Sequence, residues 1–120
     1  MKASGPARDG PGSVPRLDRI VHEPSRLRVL VHLASSEGGE VGFVALREAL
    51  GLTAGNLSVQ LRTLAEAGLV TLDKGYRDNR PATTVRLNAR GGRALEEYLE
   101  EMDGMIRGLR EASRKRRNDG

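Results

Sequence analysis

The sequence predicts a mainly α-helical fold with one small β-hairpin, an α+β domain of about 100 residues. Apolar residues recur at helical spacing through several successive segments, and glycines, prolines and serines interrupt them at short intervals. A single β-rich stretch lies between Leu69 and Leu87, on either side of a charged turn.

Residues 1–15 mix Gly, Pro, Ser and scattered charge without apolar periodicity, so they are expected to form a flexible arm. The domain is expected to begin with a short helix from Arg16 to His22, presenting Leu17, Ile20 and Val21 on one side. Pro24 marks a break and the first turn of a second helix, which carries Leu27, Leu30, Leu33 and Ala34 and ends near Ser35. Ser36 to Glu40, with its paired glycines, supplies a loop, and a brief extended segment surrounds Val41. A third helix follows with Leu46, Ala49 and Leu50 as its buried stripe, ended by Gly51 in a left-handed conformation. Thr53 is placed to cap a fourth helix, whose inward residues are Leu57, Leu61, Leu64 and Ala65 and whose limit is Gly68.

Leu69 to Lys74 then forms a strand, Gly75 to Pro81 a turn, and Ala82 to Leu87 the returning strand, rich in β-branched residues. Asn88 caps a terminal helix in which Leu95, Tyr98, Met102, Met105 and Leu109 recur at alternating steps of three and four, the spacing of a coiled-coil seam. Gly104 and Gly108 should each weaken it by about 1 kcal/mol. The domain is thus expected over residues 16–112, with a basic disordered tail over 113–120.

Composition narrows the function. Hydrophobic residues make up 38% of the chain and aromatics only 2%, so the core must be aliphatic, without the rings that line aromatic pockets or stack unpaired bases. The absence of cysteine removes disulfides, thiolate ligands and cysteine nucleophiles together. No segment has the length and apolarity of a membrane span or a signal peptide, so a cytoplasmic protein without membrane contact is expected. A net charge of +4 favours a polyanionic partner. Its placement says more: Glu96, Glu97, Glu100, Glu101 and Asp103 cluster apart from Arg77, Arg80 and Arg86 and from Arg114 to Arg117.

The stretch Leu46 to Val70, LREALGLTAGNLSVQLRTLAEAGLV, forms a helix, a tight turn, a helix and an opening strand. It resembles the winged helix-turn-helix transcriptional regulators of the MarR/ArsR type, and Leu17 to Leu30, LDRIVHEPSRLRVL, resembles the opening of a small one-domain subgroup of them. The resemblance implies a winged-helix fold and a homodimeric regulator, commonly a repressor. Its expected partner is double-stranded DNA, with an inverted repeat as the site. It also carries Thr53, Ala54, Gly55, Ser58, Val59 and Arg62 over as the base-proximal set, with Arg77 and Arg80 on the wing. Apolar Val59 departs from the polar reader common at that position, and contact with a thymine methyl group would suit it.

The residues support the same reading independently. With Leu57, Leu61 and Leu64 inward, the helical period turns Gly55, Val59 and Arg62 outward, flanked by Asn56 and Ser58. Slim residues permit close approach to a groove, and Asn56, Ser58, Gln60 and Arg62 supply donors and acceptors, although Gln60 lies beside the buried stripe. Leu17, Ile20, Tyr98, Met102, Met105, Ile106 and Leu109 are the expected dimer surface.

Three rival readings are weaker. Asp18, His22 and Glu23 are the best catalytic set, but no nucleophile, phosphate loop or metal-spaced cluster accompanies them, so no enzyme is expected. A metal site from His22 and His32 has equally little support, and no cofactor or effector is identifiable. The more serious rival is a winged-helix module that docks another protein without specific DNA binding.

Overall fold

The computed structural model describes residues 17–119, so the arm expected over 1–15 and the start of the first helix at Arg16 lie outside the described residues. Helix α1 spans Arg19–His22, where the Asp18 carboxylate accepts hydrogen bonds from the Ile20 and Val21 amides and fixes its start. Glu23 then caps α2 (Pro24–Ala34) by accepting from the Arg26 amide at 2.9 Å, with proline in the first turn. A single 3-10 turn over Glu37–Gly39 leads into strand β1 (Glu40–Gly42) and helix α3 (Phe43–Leu50).

Gly51 closes α3 with φ of 66°, and its left-handed turn lets Leu52 N donate to the Arg47 carbonyl at 3.1 Å. Only Leu52 and Thr53 then separate it from α4 (Ala54–Glu66). Within α3 the buried residues are Leu46 and Leu50, whereas Ala49, expected in the stripe, is exposed. The helix has only eight residues, and its covered strip is limited to the pair Leu46 and Leu50, one turn apart.

Strands β2 (Val70–Arg77) and β3 (Arg80–Leu87) pair antiparallel from Val70 opposite Leu87 to Arg77 opposite Arg80. The connecting turn is therefore Asp78–Asn79 alone, in place of the seven-residue loop expected from Gly75 to Pro81. Both residues adopt positive φ, 53° and 65°, the conformation that a two-residue hairpin needs to match strand twist and that Asp and Asn tolerate. Pro81 fits a strand here because β1 pairs with β3 only at Thr84 to Arg86, leaving the β3 edge uncovered where the proline has no N–H. The sheet order is β1-β3-β2.

Helix α5 runs from Ala89 to Asp119. Asn88 anchors its start twice: its side-chain oxygen accepts from the Gly91 amide at 2.8 Å, and its side-chain nitrogen donates to the Gly68 carbonyl at 3.0 Å. Gly91 is buried at this junction, and a Cβ there would collide with the Leu69 carbonyl oxygen and approach Leu87 Cδ1 to 2.7 Å. The helix continues past residue 112, where a disordered tail was expected. Beyond Gly108 it has no glycine or proline, it is rich in strong helix formers, and Arg116 and Arg117 in the last turn oppose the helix dipole.

The core joins Val21, Val29, Leu30 and Leu33 with Leu46 and Leu50, the three α4 leucines, Val70 and Val85, and Leu95 and Tyr98 from α5. Tyr98, expected at a dimer surface, is only 2% exposed within the single chain. It belongs to the chain's own core, because the first turns of α5 lie against α1 and α2 and its hydroxyl shares a hydrogen bond of 2.8 Å with His22 Nδ1.

Candidate nucleic-acid interface

The α4 helix is fixed from behind and open in front. Leu57, Leu61 and Leu64 are at most 2% exposed, while Ala54, Gly55, Asn56, Ser58, Val59 and Arg62 are all exposed on the outward side. At its start the Thr53 hydroxyl accepts from the Asn56 amide at 3.0 Å, so the cap occupies one of the free amides and the others of that turn remain available to an anion.

Gln60, the one ambiguous candidate, turns inward. Its side-chain oxygen accepts from Arg26 Nη1 at 2.9 Å and its nitrogen donates to Asn56 Oδ1 at 3.1 Å, while Arg26 Nε donates to the Ile20 carbonyl at 2.8 Å. A chain of side-chain hydrogen bonds thus runs from α1 through α2 to the front edge of α4. It orients Asn56 and withdraws Gln60 from the open face. Behind the same unit, Arg28 Nη2 donates to the Leu50 carbonyl at 2.8 Å and ties α2 to the end of α3.

In the hairpin, Arg77 and Arg80 are directly opposed across the closing pair of the turn. Two guanidinium groups in that relation repel each other, an arrangement relieved by a polyanion between or beside them. Neither they nor Arg62 forms an ion pair with any described residue, whereas Arg86, grouped with them by sequence, is bound to Asp73 at 2.9 Å on the outer face of the sheet.

The extended register also exposes residues that the sequence reading left out. Leu72, Lys74 and Tyr76 share one face of β2, opposite Val85, Thr83 and Pro81. Leu72, Lys74 and Thr83 line a groove whose other wall is Ser58, Arg62 and Glu66 of α4, with Phe43 beside it. Lys74 and Arg62 therefore flank one cleft, and Tyr76, 80% exposed, stands further along the same hairpin face. Period-two alternation from Leu72 to Tyr76 was the available signal, hidden by assigning Gly75 and Tyr76 to a loop.

A buried-backed helix with a capped, open front beside a cationic hairpin is a shape for entering a groove of duplex DNA. A model described as a winged helix DNA-binding domain matches residues 25–106. The chain belongs to the winged helix DNA-binding domain family. An uncharacterized protein of Methanocaldococcus jannaschii is 31% identical over 84 residues, covering 70% of this chain and 89% of its own. The structure of a transcriptional regulator homologue protein from Pyrococcus horikoshii OT3 matches with a TM-score of 0.68 at 31% identity, over 75% of this chain and 87% of that one. A MarR family transcriptional regulator from Streptomyces coelicolor shares the fold, with a TM-score of 0.59 at 24% identity over 71% of this chain and 57% of its own.

In this winged helix protein, α4 takes the place of the recognition helix and the β2–β3 hairpin that of the wing. It is a DNA-binding protein of MarR-type architecture and not an enzyme. The residues of the rejected catalytic set have structural duties: Asp18 and Glu23 cap helices and His22 holds Tyr98. Among the described residues no group of three or more His, Cys, Asp or Glu is arranged to hold a metal, and no helix is long and apolar enough to cross a membrane.

Proposed function

We propose that the protein is a transcriptional regulator that binds a specific duplex sequence as a homodimer and represses by occluding the promoter. The recognition helix enters the major groove, and the wing lies on the adjacent minor groove or backbone. Thr53, Ala54, Gly55, Ser58, Val59 and Arg62 approach the bases, with Asn56 at the edge, while Arg77 and Arg80 grip phosphate or the minor groove. The supporting observation is the exposed Arg62 face of α4 together with the Arg77–Arg80 tip, whose guanidinium groups have no ion-pair partner among the described residues. Dimerisation uses Leu17, Ile20, Met102, Met105, Ile106 and Leu109, and presents two recognition helices about 34 Å apart to an inverted repeat.

Selection of bound fragments from random duplex DNA tests this directly, and recovery of an inverted repeat is the expected result. Binding should weaken steeply with salt, and Arg77→Ala should reduce the slope of log affinity against log salt by about 1 while leaving sequence preference unchanged. Arg62→Ala should alter the preference as well. A chain that ignores duplex DNA at physiological salt is instead a protein-docking module.

A further inference from the structure

The hydrogen-bonded side chains that lead from α2 to the front of α4 have a direction, and it is set at their inner end. Arg26 is held at two points, its Nε donating to the Ile20 carbonyl at 2.8 Å and its amide to the Glu23 carboxylate at 2.9 Å. A guanidinium has donors and no acceptor, so only the oxygen of Gln60 can face it, and Nη1 donates to Gln60 Oε1 at 2.9 Å. That choice turns Gln60 Nε2 toward the front of the helix. The nitrogen can only donate, and it meets Asn56 Oδ1 at 3.1 Å. Each side chain thus fixes the amide orientation of the next.

The relay ends at the surface. Asn56 is exposed in the first turn of α4, and its Nδ2 donates to no other described residue. An unconstrained asparagine presents oxygen and nitrogen alike, which suits adenine, whose major-groove edge sets a donor beside an acceptor. Here the oxygen is turned to Gln60 and the two N–H groups lead. Guanine offers two acceptors on that edge, O6 and N7, whereas cytosine offers only a donor.

We infer that Arg26 and Gln60 determine base specificity without touching DNA: they lock Asn56 as a hydrogen-bond donor, so that it selects guanine and rejects cytosine at one base pair of the recognised sequence. This rests on the duplex-binding reading above and adds the base and the residues that choose it. Gln60 is the point at which the relay can be inverted. In Gln60→Glu the carboxylate still accepts from Arg26 but has nothing to donate to Asn56. The Asn56 amide then turns over to donate inward, and its oxygen leads.

The test is selection of bound fragments from random duplex DNA by the full-length chain and its variants, followed by affinities for duplexes that differ at single pairs. Asn56→Ala should lose discrimination at one pair only, and this locates the contact. There the parent should prefer guanine to cytosine by about tenfold. Gln60→Glu should replace that guanine with cytosine or adenine, both of which carry a donor amino group, and leave the other pairs as they were. Arg26→Met, which adds no charge and frees Gln60 to turn, should admit adenine beside guanine. A merely structural role for Arg26 or Gln60 would weaken binding to every sequence alike without changing the recovered bases, and that result overturns the relay. Retention of guanine alone in Gln60→Glu or Arg26→Met overturns it as well, and so does an Asn56→Ala chain that loses affinity for all sequences equally, which places Asn56 on phosphate. If the added charge of Gln60→Glu abolishes binding, Arg26→Met decides. A parent chain that recovers no preferred sequence overturns the duplex-reading function itself.

Discussion

In α4, Leu57, Leu61 and Leu64 are closed off completely by the chain's own body, whereas in α5 the same leucine spacing is covered at Leu95 and open at Leu109. Spacing alone is identical evidence in the two helices; what lies opposite differs. The α4 stripe meets α2 and β2, while α5 is about 46 Å long in all and the body reaches only its first turns. The difference separates residues that hold one chain together from residues available to a second.

Substitutions can break or sharpen that contrast. Leu57→Ala should cost about 2–5 kcal/mol in denaturant unfolding, since it empties a fully enclosed site in the core. Gly91→Ala should cost about 1–3 kcal/mol or more by the same measurement, because the added methyl group meets the backbone oxygen of Leu69, which cannot swing aside as the Leu87 side chain can. Thr53→Ala removes the cap of α4 and should cost about 1 kcal/mol, with a parallel loss of duplex affinity from fraying at the first turn. Leu109→Ala should change unfolding by no more than about 0.5 kcal/mol at concentrations where the chain is monomeric. A large effect there, under those conditions, would mean that α5 folds back on its own domain.

The α4 unit was legible because its signals are local: a threonine cap, a glycine stop behind it and leucines one turn apart. The hairpin was legible as a hairpin, but its length was not. Gly75 and Pro81 suggest a loop to any local reading, and only pairing of Tyr76 with Pro81 and of Arg77 with Arg80 makes them strand residues. The cost of that misreading was the groove face, where Lys74 stands opposite Arg62. Two other assignments turned on contacts between residues far apart in sequence. Gln60 faces inward because Arg26, 34 positions away, donates to it, and Tyr98 enters the core because His22, 76 positions away, meets its hydroxyl.

The sequence by itself determined the order of the helices, the caps of α4 and α5, the glycine stop of α3, the inward leucines and the outward face of α4, because hydrogen bonding to nearby amides and helical periodicity act over a few residues. Tertiary structure alone decided the two-residue wing turn, the opposition of Arg77 and Arg80, the pairing of β1 with β3, and which part of the α5 stripe is left uncovered. Those outcomes depend on which distant surfaces meet, and burial is a property of the pair that meets rather than of either segment.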